Sequence, residues 1–306
     1  VKRATMRMRS ARRLSLFMTI LRSLAAAFLL IGTLSAQSPL SPRSGATTYD
    51  HVAEISYAGR SAIHEGSRRL GEISTRHARA ASVMALPLGA QDQVLIGFGA
   101  QGFAFQPPAA SLVPENLSSL ALKLGWNRAI DAQWSVRAEI DPGTYGKSDF
   151  GAPIAVRAIY AATRDLQWAF GVNYDWRSSH PLIGGVGVRW RFAPAWTLSF
   201  ILPAPRIEWA VTPNLTLSAG ASLRGGTFRV SDDFGRRRGR PTFDGQRVDY
   251  REINAGLGAR WRLAPGIALH LGIGYMTDRR FEFENRNLLL NGDGAPAAQL
   301  TLTSAF

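Results

Sequence analysis

The stretch Ile253-Asn254-Ala255-Gly256-Leu257-Gly258-Ala259-Arg260-Trp261-Arg262-Leu263 decides the fold. Its odd positions are all apolar, while its even positions hold Asn254, Gly256, Gly258, Arg260 and Arg262. Alternation with period two belongs to a β-strand whose two faces meet different surroundings. Ala264-Pro265-Gly266 interrupts it as a turn. Ile267, Leu269, Leu271, Ile273 and Tyr275 then oppose Ala268, His270, Gly272, Gly274 and Met276. Residues 214–224 and 166–177 repeat the pattern, the latter with Leu166, Trp168, Phe170, Val172, Tyr174 and Trp176 on the apolar side. Strands of about 9–11 residues with one apolar face fit a barrel wall in a bilayer.

A soluble sandwich also alternates, so the connections discriminate. Long or irregular ones lie near 284–296, 231–245, 178–182, 141–152, 106–114 and 59–72. Short ones lie at 264–266, 212–213, 193–194, 164–165, 127–132 and 89–92. Pro203-Ala204-Pro205 is the exception, a tight corner where a long loop is expected. Short periplasmic turns opposite longer external loops mark outer-membrane barrels. The fold read from these patterns is all-β, a closed antiparallel transmembrane β-barrel of about 14 strands. The expected strands are 50–58, 73–88, 93–105, 115–126, 133–140, 153–163, 166–177, 183–192, 195–202, 205–211, 214–230, 246–262, 267–283 and 297–306. The first two patterns are the weakest, which makes 12 the alternative count. An even number places both ends of the barrel on the periplasmic side.

Tryptophan supplies an independent test. Of the eight, Trp126, Trp134, Trp168, Trp190, Trp196, Trp209 and Trp261 lie within a few residues of a short turn, all on the apolar parity. Amphipathic rings gathered at one height form an interfacial girdle. A set of core tryptophans does not explain why they share one end of the strands. The final strand sets Ala298, Leu300, Leu302 and Phe306 against Gln299, Thr301 and Thr303. It resembles the terminal recognition strand that the barrel-assembly machinery reads in outer-membrane proteins, which makes Leu300, Leu302 and Phe306 a candidate assembly signal.

The formal charge of +14 suggests a nucleic-acid partner until the charges are located. Lys2, Arg3, Arg7, Arg9, Arg12, Arg13 and Arg22 lie in residues 1–36, which hold no acidic residue; without them the charge is +7. A basic stretch, the apolar run Leu24–Leu34 and Leu34-Ser35-Ala36 before Gln37 read as a secretory signal peptide. The run is too short for a spanning helix. Residues 37–49 read as a flexible lead-in and 50–306 as the barrel. No nucleic-acid partner is expected, since the remaining charge is dispersed. With no cysteine there is no disulfide and no thiolate metal site. The expected location is the outer membrane of a Gram-negative-type bacterium.

At Leu202-Pro203-Ala204-Pro205-Arg206-Ile207-Glu208-Trp209, Thr212-Pro213-Asn214-Leu215-Thr216-Leu217 and Arg224-Gly225-Gly226-Thr227-Phe228, the sequence resembles a domain-of-unknown-function family of outer-membrane β-barrels. Tyr250-Arg251-Glu252 and Arg280-Phe281-Glu282-Phe283 are similar too. The resemblance covers roughly the last half of the chain. It implies fold and location and carries no catalytic residue.

If the apolar parity faces lipid, the other faces a lumen. Its candidates include Arg157, Arg189, Arg191, Arg206, Glu208, Arg224, Glu252, Arg260 and Arg262, with Lys123, Arg137, Arg177, Glu139 and Asp175 beside them. Ten cations against four anions favour anionic solutes in a water-filled passage. The alternative is that these charges pair across the interior and brace the wall, Arg206, Glu208 and Glu252 first among them. Gly171, Gly185, Gly187, Gly220, Gly256, Gly258, Gly272 and Gly274 share the inner parity and read as packing relief. Arg236-Arg237-Arg238-Gly239-Arg240 falls in an external loop. Guanidinium groups suit phosphates, so lipopolysaccharide headgroups are a candidate partner, a solvated charged loop being the commoner case.

His51, His64, His77, His180 and His270 have no metal-binding spacing, and no metal or cofactor is expected. His270 reads as satisfied by hydrogen bonds. His180 beside Ser178 and Ser179 leaves an outer-membrane hydrolase as a third and weakest reading; no enzymatic activity is expected. The leading reading is a porin-like small-solute channel with weak anion preference. The alternative is a closed structural or adhesive barrel acting through its external loops. Outer-membrane lipids are the expected surroundings.

Overall fold

The computed structural model describes residues 46–108 and 111–306. The expected signal peptide and all but the last residues of the 37–49 lead-in lie outside the described residues. The lead-in ends earlier than expected, because Thr48 already pairs in the wall.

The wall is one antiparallel sheet of 17 segments. They are β1 (Thr48–Glu65), β2 (Arg68–Pro87), β3 (Asp92–Phe105), β4 (Asn116–Ala129), β5 (Trp134–Ile140), β6 (Gly143–Tyr145), β7 (Phe150–Gly151), β8 (Ile154–Ala161) and β9 (Leu166–Tyr174). Then follow β10 (Leu182–Ala193), β11 (Trp196–Phe200), β12 (Arg206–Ala210), β13 (Leu215–Arg229), β14 (Arg247–Ala264), β15 (Ile267–Phe283), β16 (Leu288–Gly292) and β17 (Ala295–Ala305). β6 continues β5 along β4, β7 leads into β8, and β16 and β17 share one position beside β15, which leaves 14 strands around the barrel. The sheet closes where β1 pairs with β17, from Asp50 opposite Ala305 to Ala58 opposite Ala297. Closure removes every strand edge at that seam, as a bilayer demands.

The apolar parity faces outward. Leu257, Leu271 and Ile273 are 63%, 55% and 68% exposed, although their strands pair on both sides. Residues that a soluble protein buries thus form the outer surface, which is the arrangement of a membrane-spanning barrel. No helix among the described residues is long and apolar enough to cross a membrane.

Three connections differ from the sequence reading. The loop expected at 59–72 is absent; β1 and β2 run on to a two-residue turn at Gly66-Ser67, with Gly66 at φ +59°. The stretches 141–152 and 284–296 carry β6, β7 and β16. The strand expected to reach 177 stops at Tyr174.

These long strands make the barrel two-storeyed. β13 to β17 and β1 to β4 extend well beyond the others on the external side. There Gly146 bridges Arg229, Lys147 N donates to Arg229 O at 2.9 Å and Arg247 pairs with Asp149 at 3.0 Å. The β6–β7 hairpin thereby joins β4 to β13, and the upper storey closes as a narrower cylinder. It is filled. Ile63, Ile73, Phe103, Phe105, Phe228, Tyr250, Phe281, Phe283 and Leu290 form one buried cluster. Phe105 stands edge-on to Tyr250 and Phe281, both at 5.0 Å. Residues 111–115 and 230–246 cap it, contributing Leu112, Val113, Phe234 and Phe243.

Candidate functional site

Beneath the aromatic cluster lies an interior cavity of about 1690 Å³. Inner-parity residues of the lower storey surround it. Arg157, Arg189, Arg191, Arg206, Glu208, Arg224, Glu252, Arg260 and Arg262 all line it, as do Lys123, Arg137, Glu139 and Asp175. Arg177 does not. It sits past the end of β9, almost fully buried, stacked 3.7 Å from the Tyr145 ring centre and paired with Asp175 at 2.6 Å.

The charges divide into paired and unpaired sets. Arg137 and Arg157 share Glu139, at 2.6 and 2.5 Å. Lys123 meets Asp141 at 2.7 Å, Arg191 Nε donates to Asp165 at 2.6 Å, and Arg206 meets Glu208 at 2.6 Å. Glu252 does not join Arg206 and Glu208 as expected. It belongs to a buried group under the aromatic floor, where Tyr250 OH donates to it at 2.5 Å and Arg224 lies 3.6 Å away. Arg224 also reaches Glu54 at 2.8 Å and Ser56 at 2.9 Å and donates to Gln299. His77 completes the group 3.5 Å from Glu54. Above it, the fully buried Arg279 donates to Ile73 O and to Met276 Sδ, each at 3.2 Å. Such pairs are braces, because charges removed from water need partners.

Arg189, Arg260 and Arg262 are different. Among the described residues, no carboxylate comes within ion-pair distance of any of them. The charges of Arg189, Arg206, Arg262 and Glu208 all act on Arg260, so these groups share one sector of the lower lumen. The wall opposite Arg206 is Gly220, then Gly256, then Gly274. A side chain at Gly256 would strike the backbone of Ile273, so here glycine permits close strand approach and clears space before the arginines. His270 lines the same sector and has no hydrogen-bond partner among the described residues, contrary to the sequence expectation.

Glu54, His77 and Arg279, and Arg79, which lines the cavity, were missed by the sequence reading. They lie on β1, β2 and the upper end of β15, where the alternation was weak or switches phase at Thr277, the extra residue of β15 opposite Ile253 and Asn254.

The seven tryptophans stand on the outer face beside the short turns. Trp196 and Trp209 stack at 5.6 Å, and Trp134 stacks on Tyr160 at 4.8 Å. Leu300 and Leu302 share that face, half-buried to exposed, and Phe306 exchanges both backbone hydrogen bonds with Tyr49, at 2.9 Å each.

The Arg236–Arg240 run is exposed at Arg236, Arg237 and Arg240 but tethered by ion pairs, and only Arg238 is largely buried. Arg238 donates to Ser111 O at 2.7 Å, Phe234 O at 3.2 Å and Val113 O at 3.3 Å, and lies 4.2 Å from the centre of the Phe234 ring. Arg236 holds Asp244 at 2.7 Å, Arg237 holds Asp233 at 3.1 Å, and Arg240 holds Glu65 at 3.2 Å. Burial pushes the Arg238 guanidinium below its ordinary value, with Glu115 opposing.

The serines beside His180 do not form a relay. Ser179 Oγ donates to Asp249 at 2.5 Å and lies 3.0 Å from His180 Nδ1. The hydroxyl therefore sits between imidazole and carboxylate, whereas a nucleophile needs the imidazole in the middle. Asp249 pins the loop; it orients no base. Among the described residues no cluster of potential ligands could hold a metal ion.

A family model, domain of unknown function DUF6268, matches residues 101–290. The chain belongs to this family. The match covers the arginine sector and the cap but not β1 and β2. Among solved structures, an outer membrane channel from Pseudomonas putida F1 is similar at 8% identity with TM-score 0.49, covering 89% of this chain and 100% of that one. A FadL homologue from Pseudomonas aeruginosa is similar at 9% identity with TM-score 0.43, covering 85% and 89%. The NanC porin follows at 11% identity with TM-score 0.39, covering 83% and 98%. No curated protein sequence matches significantly.

Proposed function

We propose that this family member is an outer-membrane channel for small solutes, with a preference for anions. The observation that carries the reading is the lower lumen, where Arg189, Arg260 and Arg262 face the cavity without carboxylate partners among the described residues. A water-filled space walled by one sign of charge concentrates the opposite ion. The Glu139 and Glu208 pairs neutralise part of the wall and leave this sector cationic. On the same reading the tryptophan row anchors the periplasmic interface. Leu300, Leu302 and Phe306 present the barrel to its assembly machinery, and residues 1–36 are removed on export.

The test is conductance of refolded protein in a planar bilayer under a KCl gradient. The expected result is a current whose reversal potential lies on the chloride side. In the double variant Arg260→Gln, Arg262→Gln the potential moves towards zero. A barrel that passes no current removes the transport claim. A second reading, a closed barrel that adheres through its external loops, draws on the aromatic filling of the upper storey. Loss of whole-cell binding on deletion of 231–245, with no conductance, favours it instead.

A further inference from the structure

The upper storey leaves no axial path, yet the cavity reaches the external side elsewhere. We infer that the lumen opens sideways through a window above the Leu202–Pro205 corner, and that this window admits amphiphilic anions, an acyl or aromatic body with a carboxylate head, from the outer leaflet. The inference rests on the channel reading and specifies its entrance and its solute.

The window has four sides. Its sill is the corner itself, at the top of two strands of only five residues each, β11 and β12. One side is β10 above Val188, where pairing with Phe200 ends. The other is β13 above Leu223, whose amide makes the last bond to the corner by donating to Pro203 O at 2.8 Å. From there β13 has no strand neighbour on that side until Arg229 meets Gly146. The top is the 175–181 loop. It crosses to the taller wall and is fastened there by Arg177, which donates to Thr227 O at 3.4 Å, and by Ser178 and Ser179 on Asp249, at 3.2 and 2.5 Å. β10 and β13 are three inter-strand steps apart, which makes the opening about 14 Å wide at ~4.8 Å per step. The cavity touches all four sides, at Pro203, Ala204, Ile183, Leu223 and His180.

Depth and chemistry decide what passes. With the tryptophan row at the periplasmic interface, Pro203 is roughly seven residues above Trp196, about 18 Å at the rise and tilt of barrel strands. The apolar band of such barrels is ~25 Å tall, so the sill lies inside the outer leaflet. Unpaired backbone at that depth is tolerated only where it borders a water-filled space. The rim is apolar, with Leu182, Ile183, Val186, Phe200 and Leu202 all more than half exposed. Just inside it Arg206, held by Glu208, faces the cavity, followed by Arg189, Arg260 and Arg262, unpaired among the described residues. A greasy rim ahead of unpaired guanidiniums suits a molecule with an apolar body and an anionic end. The cavity behind exceeds the roughly 300–1,000 Å³ of ordinary small-ligand pockets.

The chain has no cysteine, so Ala204→Cys gives a single label on the sill. Two measurements on full-length protein in liposomes follow, with Gln91→Cys on a periplasmic turn as the control. A bimane on Ala204→Cys is expected to be quenched by brominated lipid; quenching by aqueous iodide alone puts the sill outside the membrane and overturns the window. A polyethylene-glycol maleimide on Ala204→Cys, but not on Gln91→Cys, is expected to stop chloride current and decanoate uptake alike. Unmodified protein is expected to take up decanoate faster than acetate by about tenfold or more, each methylene adding to partition into the leaflet. Current and uptake that persist after labelling overturn the window while the channel reading stands. Equal uptake of the two carboxylates overturns the amphiphile. A sill in the bilayer with no current in unmodified protein overturns both the channel and its entrance.

Discussion

Arg238 shows how much a single side chain decides at the external end. Its fork joins the 230–246 cap to residues 111–113 through the Ser111 and Val113 carbonyls, also donates to Phe234 O in its own cap, and its plane covers the Phe234 ring. Hydrogen bonds from a charged group are worth about 1.5–3 kcal/mol where water is excluded. Arg238→Ala therefore leaves the wall intact and frees the cap, and chymotrypsin gains access to Phe234 and Phe243, which are buried in the parent. Arg238→Lys keeps the charge but not the fork and gives intermediate cleavage. Asp244 fixes the same cap from its other side. Partial burial works to raise its carboxyl, but the amides of Arg236 and Gly235 and the Arg236 guanidinium outweigh that and hold it below the usual carboxylate range. A group with a depressed folded-state value adds stability above its unfolded value, near pH 4, and loses it as pH falls through the folded one. Hydrogen exchange of the 231–245 amides is thus expected to be flat from pH 7 to pH 5 after correction for intrinsic rates, and to rise below about pH 4. Asp244→Asn raises it throughout. An unchanged profile in that variant shows that the carboxylate does not hold the cap.

Single strands carry the clearest link between sequence and surroundings. β14 keeps one apolar and one polar parity from Ile253 to Leu263, and Leu257 stands near the middle of its lipid face. Arginine there costs about 2–4 kcal/mol at mid-membrane depth. Leu257→Arg lowers the unfolding free energy of refolded protein in bilayers, read from urea titration, by that amount; no change in it places this face away from lipid. The upper end of β15 obeys another rule. Phe281 is fully buried among Phe105 and Tyr250 inside the cylinder, and Phe281→Ala costs about 3–5 kcal/mol, the range for aromatic truncation in a packed core. The lower storey was legible because lipid and water impose opposite chemistry on alternate residues. The upper storey was not, because there the alternation inverts, with Val248, Tyr250, Phe281 and Phe283 inside and Arg247, Asp249, Arg251, Arg280 and Glu282 outside. A signal was nevertheless present in Phe103-Ala104-Phe105 and Phe281-Glu282-Phe283, where aromatic residues take the inner parity at the external ends. Sequence spacing placed the lumen arginines on one parity, but not which of them would find carboxylates. Arg224 depends on Glu54, 170 positions away and adjacent only after the barrel closes.

At the scale of the molecule, one chain builds two barrels of different kind, and their stabilities are expected to differ. The upper cylinder joins paired strands to a dry aromatic core, buried ion pairs and a cap. The lower wall surrounds a cavity and is held by its own hydrogen bonds and by the bilayer. Local opening is easiest where few buried contacts reward closure. β11 and β12 contribute only five residues each, end at the corner and face the cavity on one side. Hydrogen exchange in detergent micelles is therefore expected to proceed first at Trp196–Phe200 and Arg206–Ala210 and last at Tyr250, Phe281 and their cross-strand partners. Phe103→Ala is expected to narrow that difference by accelerating the slow class alone, since its ring packs on Phe228 and Tyr250 in the upper storey and touches no residue of the short strands. Uniform exchange around the wall, or acceleration of both classes together, is the outcome for a barrel that opens as one unit. On the proposed channel reading the distinction bears on transport, because a wall with one soft sector and one rigid sector would admit solutes at the soft one without loosening the fold that holds it open.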